Sequence, residues 1–270
     1  MDQDKINEYY GNEIEKNRLD LDYFKLEGIR TKEITARFLK TKNLKIVDVG
    51  GGAGFYSFWL QSLGHRVSLV DLSPKNIDLA NHYAAKHGTT LESCSIGDAT
   101  HLTFSDNEFD IVLLMGPLYH LIEKEERVKA LNEARRVVKP GGIVFVACIS
   151  RYASLFDGFR RDLIKDDRFE KILLKDLQDG IHLNDTDNPE YFTTSFFHTP
   201  QEIRNEISES GLNLEKLVAV ESVGWVIDEF TEKVKDQHYW DKIHKIITSI
   251  ESNTDLIAMS PHIIAIARKP

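Results

Sequence analysis

The chain has 270 residues, 41% hydrophobic and 29% charged, which excludes disordered and fibrous classes and allows one large α/β domain with or without an insertion. Its formal net charge of -9, from 34 basic against 43 acidic side chains, weighs against nucleic-acid partners, which need a basic surface to displace counterions from phosphate. Cys94 and Cys148, far apart in apolar segments, suit neither a disulfide scaffold nor a metal site, so no metal is expected and a reduced, cytoplasmic setting fits. The start Met1-Asp2-Gln3-Asp4-Lys5 is charged and lacks the apolar run of a signal peptide, and runs such as Ile111 to Met115 are too short to span a bilayer.

Residues from about 4 to 40 read as helical, with Ile6, Tyr9, Tyr10, Ile14, Ile29, Ile34 and Phe38 at mixed three- and four-residue spacing. The pattern then changes. Lys45 to Val49 is a short β-branched run that ends in glycines, as a buried strand does. A helix over about 55–63 closes at Gly64, and Arg66 to Val70 is the next strand. Ser73 caps a helix over about 74–87, with Pro74 in its first turn and Gly88 at its end. Leu91 to Ile96 and Phe109 to Met115 are strands. A helix over about 123–138 stops at Lys139-Pro140-Gly141-Gly142, and Ile143 to Ile149 is another buried strand. Such alternation predicts parallel βαβ units with helices on both faces.

Beyond Ser150 the rhythm breaks. Residues 151–198 are polar and aromatic with helical fragments, too long for a plain loop, and are expected to form a lid. Thr199-Pro200-Gln201-Glu202 carries the capping-box signature of a new helix that Gly211 ends. Leu214 to Glu221 is a strand, about 226–252 is mostly helical, and His262 to Ala267 is the last strand. The expected architecture is a doubly wound, mostly parallel, seven-stranded Rossmann-like sheet with an antiparallel last strand. Residues 1–42 form an N-terminal helical cap, 43–150 and 199–270 the core, and 151–198 the lid.

The strongest chemical signal is Val47-Asp48-Val49-Gly50-Gly51-Gly52-Ala53-Gly54 at a strand-to-helix turn, where glycines let the backbone approach a ligand. Asp71 ends the next strand about twenty residues on, the position from which an acid holds ribose hydroxyls. These two features leave a dinucleotide and a nucleoside cofactor both open. The spacing separates them: a pyrophosphate favours G-x-G-x-x-G, whereas Gly50, Gly52 and Gly54 follow G-x-G-x-G.

With Gly97-Asp98-Ala99, Phe109-Asp110-Ile111-Val112 and Val137-Val138-Lys139-Pro140-Gly141-Gly142 in the same order, residues from about 45 to 150 resemble the class I S-adenosylmethionine-dependent methyltransferases. Gly116-Pro117-Leu118-Tyr119-His120-Leu121 looks like a bacterial small-molecule subgroup. The resemblance implies S-adenosylmethionine as cofactor and S-adenosylhomocysteine as product. By position, Gly50, Gly51, Gly52 and Gly54 would approach the amino-acid half of the cofactor. Asp71 would hold the ribose, Leu72 would pack on the adenine, and Asp98 and Ala99 would read its edge. Met115, Gly116 and Tyr119 would line the wall near the sulfonium, and Arg18 on an N-terminal helix would meet the carboxylate.

His120 and Tyr119 lie just past the fourth strand, and His120 is equally a general base or a residue of the cofactor shell. His198 and Tyr191 in the lid are further catalytic candidates. Gly116-Pro117-Leu118-Tyr119 departs from the Asn/Asp-Pro-Pro-Tyr loop of amino methyltransferases, since Gly116 has no side chain to accept an amine proton, and this puts nucleobase methylation in doubt. The expected acceptor is a small molecule, without nucleic acid or membrane, and a homodimer is left open. RNA or protein methylation, a non-catalytic binder and an NAD-dependent oxidoreductase are the competing readings.

Overall fold

A computed structural model describes residues 22–186 and 188–270. The segment that carries Tyr9, Tyr10 and Arg18 lies outside the described residues, and with it the first half of the expected cap. In chain order the elements are α1 (Asp22–Ala36), β1 (Lys45–Val49), α2 (Phe55–Ser62), β2 (Arg66–Asp71), α3 (Pro74–His87), β3 (Ser93–Ile96), β4 (Phe109–Leu114), α4 (Lys124–Val137) and β5 (Val138–Ser150). They continue with α5 (Ala153–Arg160), α6 (Asp167–Asp179), β6 (Ile181–His182), β7 (Ser195–His198), α7 (Pro200–Glu209), β8 (Asn213–Ala219), α8 (Phe230–Lys233), α9 (Gln237–Ile250) and β9 (His262–Arg268).

The seven expected strands form one layer in the order β3-β2-β1-β4-β5-β9-β8. β1 through β5 are parallel, and β9 runs antiparallel to both β5 and β8. Two short strands were not expected. β7 adds to the carboxyl end of β5 at Ile149 and Ser150, and β6 pairs antiparallel with β7. Central strands are buried on both faces, which is why β1 and β4 are apolar apart from Lys45, Asp48 and Asp110. One apolar cluster built around Val112, Val144 and Ala265 covers one face, and a second around Ile46, Leu113 and Phe145 covers the other.

Local signals place the helices. The Ser73 side chain accepts the Asn76 amide at the start of α3, and Gly88 ends that helix in the left-handed region. Thr199 and Glu202 form the full capping box of α7. One expectation needed correction. Lys139-Pro140-Gly141-Gly142 does not interrupt the chain before β5: the strand starts at Val138 and absorbs the glycines as a register shift opposite Phe109 and Ile111. The mostly helical stretch expected over about 226–252 consists of the single turn α8 and the longer α9, preceded by a 3-10 turn at Gly224–Val226.

The segment 151–198 has its own small core of Phe169, Ile172, Leu173 and Tyr191, separate from the two sheet clusters. It returns to the sheet through β7, so it lies beside the carboxyl ends of β4 and β5. Those ends are where open α/β sheets place ligands.

Candidate functional site

The turn between β1 and α2 is shaped by two backbone requirements. Gly50 (φ 69°) and Gly52 (φ 58°) are left-handed, a region costly for residues with a Cβ. A Cβ on Gly50 would sit 2.6 Å from Pro117 Cγ, so the turn and the segment after β4 meet there without room for a side chain. Gly52 donates its amide to Asp71 Oδ2 at 2.8 Å. Asp71 Oδ1 accepts the Ser73 amide at 2.9 Å and Asn76 Nδ2 at 3.0 Å. The carboxylate is thus fixed by three donors from two successive βα turns. Its Oδ2, with one protein donor, keeps acceptor capacity for a further hydroxyl.

A cavity of about 420 Å³ opens over this turn. Its lining includes Gly50, Gly52, Asp71, Leu72, Asp98, Ala99, Gly116, Tyr119 and His120. Leu72 is 45% exposed, an apolar side chain at the lip with nothing packed over it. Thr100 donates its amide and its hydroxyl to Asp98 Oδ1, at 2.8 and 2.9 Å, which fixes that carboxylate while engaging only one oxygen. Gly116 backs onto the Gly50 carbonyl, where a Cβ would approach to 2.8 Å. The absence of a side chain at position 116 therefore serves close backbone packing.

His120 ends the 3-10 turn Pro117–His120, its ring edge-on to Tyr119 with centroids 4.6 Å apart. Burial lowers its pKa to about 4, against a hydrogen bond with the Thr194 backbone that favours the charged form. The ring is neutral at physiological pH. The Tyr119 hydroxyl donates to the Met115 carbonyl at 3.2 Å.

Other candidates are elsewhere. Tyr191 is buried in the small core of segment 151–198, and its hydroxyl donates to Asp166 Oδ2 at 2.7 Å, so its polar tip is used structurally. His198 is fully buried at the end of β7, with Nε2 3.3 Å from Glu206 Oε2, and burial lowers its pKa. Neither lines the cavity; tertiary packing placed two chemically plausible side chains inside the protein. Met115 does not line it either, and packs its side chain on the sheet. Gly51 and Gly54 lie within the turn rather than on the cavity surface: a Cβ on Gly51 would strike Asp48 Oδ2 at 2.5 Å, and one on Gly54 would strike Phe58 at 2.8 Å.

Several lining residues escaped the sequence reading: Ser73, Asn76, Thr100, Pro117, Leu121 and Glu126. Asn76 had a legible signal, since it follows the Ser73 cap by three residues and so turns back toward the end of β2. Asp48 lies fully buried beneath the turn, where Ser57 Oγ donates to its Oδ2 at 2.7 Å. Burial raises its pKa to about 6, with the Asp71 charge adding to the effect and the Ser57 hydrogen bonds opposing it. The structure also gathers Glu27, Glu221 and His262, whose potential ligand atoms lie within 4.8 Å of one another. They are tied by hydrogen bonds from Ser260 and His262 to Glu221. Their separation in sequence left no pattern to read.

Residues 47–146 match the methyltransferase domain family. A ubiquinone biosynthesis O-methyltransferase from Methylocella silvestris is 33% identical over 141 residues, half of each chain. One from Caulobacter vibrioides is 33% identical over 110 residues, 41% of this chain and 42% of its own. The chain thus spans about half the length of the curated relatives it matches. An S-adenosylmethionine-dependent methyltransferase from Methanosarcina mazei superposes with a TM-score of 0.59 at 20% identity, over 87% of this chain and 96% of its own. One from Mesorhizobium loti gives 0.57 at 17% identity, over 88% and 97%. A (4+2)-cyclase gives 0.57 at 18% identity, over 89% and 80%, so the fold carries more than one chemistry. Among the described residues, no helix is long and apolar enough to cross a membrane.

Proposed function

Starting from a chain that carries a class I S-adenosylmethionine-dependent methyltransferase domain, we propose that it binds S-adenosylmethionine in the 420 Å³ cavity and methylates a small-molecule acceptor. The observation that carries this reading is the pair of fixed carboxylates, Asp71 and Asp98, on one cavity with the Gly50–Gly52 turn between Asp71 and the wall at Gly116.

The residues present fit the cofactor. Asp71 Oδ2 accepts a ribose hydroxyl, and Asp98 Oδ2 accepts an exocyclic amine. Leu72 at the lip covers an apolar ring face, and the bare backbone at Gly50 and Gly52 admits the amino-acid portion. When bound, the cofactor supplies an already activated methyl group on a sulfonium. The protein's part is then to orient the acceptor in line with it and to exclude water. Tyr119, His120 and Gly116 form the wall on that side. A neutral His120 can accept a hydrogen bond from an acceptor hydroxyl without placing a cation beside the sulfonium. The relatives named as O-methyltransferases make small hydroxyl compounds the first acceptors to try. The segment 151–198 serves as the lid over the acceptor.

Isothermal titration with S-adenosylmethionine and S-adenosylhomocysteine tests the reading, with micromolar or tighter binding expected. Lack of heat with both ligands, under conditions where the protein is folded, removes it.

A further inference from the structure

We propose that Arg127 is a positioning residue that sets the outer wall of the cavity and fastens the lid strand β7 to it; the affinity arm of its test rests on the cofactor reading above. Arg127 does not line the cavity, yet four of its five N–H donors are engaged beside it. From α4 it is 3% exposed. Its Nη1 donates to the carbonyls of Leu121 and Ile122, at 2.9 and 2.6 Å. These carbonyls belong to the segment that leaves the Pro117–His120 turn, and Leu121 itself lines the cavity. On its other edge, Nε and Nη2 donate to Glu206 Oε1 at 3.0 and 2.8 Å. The guanidinium carbon lies 3.6 Å from the ring centroid of Phe196 in β7.

Glu206 in turn meets His198, the last residue of β7. The same strand segment touches the cavity wall directly, where the Thr194 backbone bonds His120. One planar cation thus bridges α4, α7, the lid strand and the turn that ends at His120. A buried ion pair alone is no argument for stability, because well-packed apolar residues often replace one without loss. Two backbone carbonyls, a bidentate carboxylate and an aromatic face do require a rigid fork. A lysine at this position could pair with Glu206 but could not hold the carbonyls as well.

The test uses the full chain and Arg127→Lys, with Glu206→Gln as the second variant should Arg127→Lys fail to fold. Hydrogen exchange of the ligand-free proteins reads the wall and lid directly. Amides of residues 118–122 and 195–198 are expected to exchange faster together, by roughly tenfold, while β1 and β4 keep wild-type rates. S-adenosylhomocysteine affinity is expected to fall by roughly tenfold at a melting temperature within a few degrees of wild type, an effect that a merely structural role would not produce. Exchange unchanged in both segments, or in either one, overturns the proposal. Affinity within twofold of wild type in a folded variant also overturns it. Should the wild-type protein bind no S-adenosylhomocysteine, the cofactor reading fails and the exchange result alone decides the role of Arg127.

Discussion

The glycine turn that lines the cavity and the segment 151–198 beside it are built by different rules. On the turn side, Gly50, Gly52, Asp71, Ser73 and Asn76 all come from two consecutive βα units, and every bond that fixes Asp71 spans fewer than twenty residues. On the lid side, the contacts that matter join α4 to α7, β7 to the Pro117–His120 turn, and Tyr191 to Asp166. Short-range geometry makes a ligand cradle that fold topology repeats almost automatically. Long-range packing makes an enclosure whose details depend on which side chains happen to meet.

The largest effect should come from breaking the turn side. Asp71→Asn keeps the shape but removes the charge and turns an acceptor into a donor facing the Gly52, Ser73 and Asn76 hydrogens. S-adenosylhomocysteine affinity is expected to fall by about 100-fold or more in calorimetry, with the lid core undisturbed. Unaltered affinity would show that the two regions do not divide the work as described.

The next concerns Asp48 beneath the same turn. Its folded-state pKa is raised to about 6, so its ionisation costs stability that accumulates as pH climbs from about 4 to about 6 and stays constant above. Asp48→Asn removes that cost. It should stabilise the protein by up to about 3 kcal/mol at pH 8 and by clearly less at pH 5. Parallel melting curves of the two proteins across that range check the sign.

Gly50→Ala should cost about 2 kcal/mol and weaken ligand binding, because the new methyl group meets the Pro117 ring at a left-handed φ. Thermal denaturation and calorimetry measure both parts. On the lid side, Tyr191→Phe should cost about 1 kcal/mol for the lost Asp166 hydrogen bond and leave turnover of any acceptor unchanged. A large loss of kcat at full stability would return Tyr191 to the chemistry. The smallest signal is an absence of titration: the imidazole carbon resonances of His120 should stay at their neutral positions from pH 8 down to about 5. A midpoint near 6.5 would show that the ring is more open than its packing implies.

Much of this molecule was legible before its structure. Strand positions followed from β-branched runs bounded by glycine and proline, because a buried parallel strand must be apolar on both faces. Gly50, Gly52 and Asp71 followed from spacing, because a βα turn at a sheet's carboxyl edge repeats the same short geometry, and Asp98 followed from the family resemblance. Cap residues Ser73 and Thr199 fixed helix starts through bonds to amides two or three positions away. What remained hidden was everything set by contacts across the chain. Tyr191 and His198 have the chemistry of active-site residues and are buried as structural ones. Arg127, which no sequence motif marked, lies at a junction of four elements. Period, spacing and residue type report what a segment does to its near neighbours. Which distant side chain supplies the hydrogen-bond partner, and whether a polar tip faces solvent, a cavity or a carboxylate, is settled only when the layers pack.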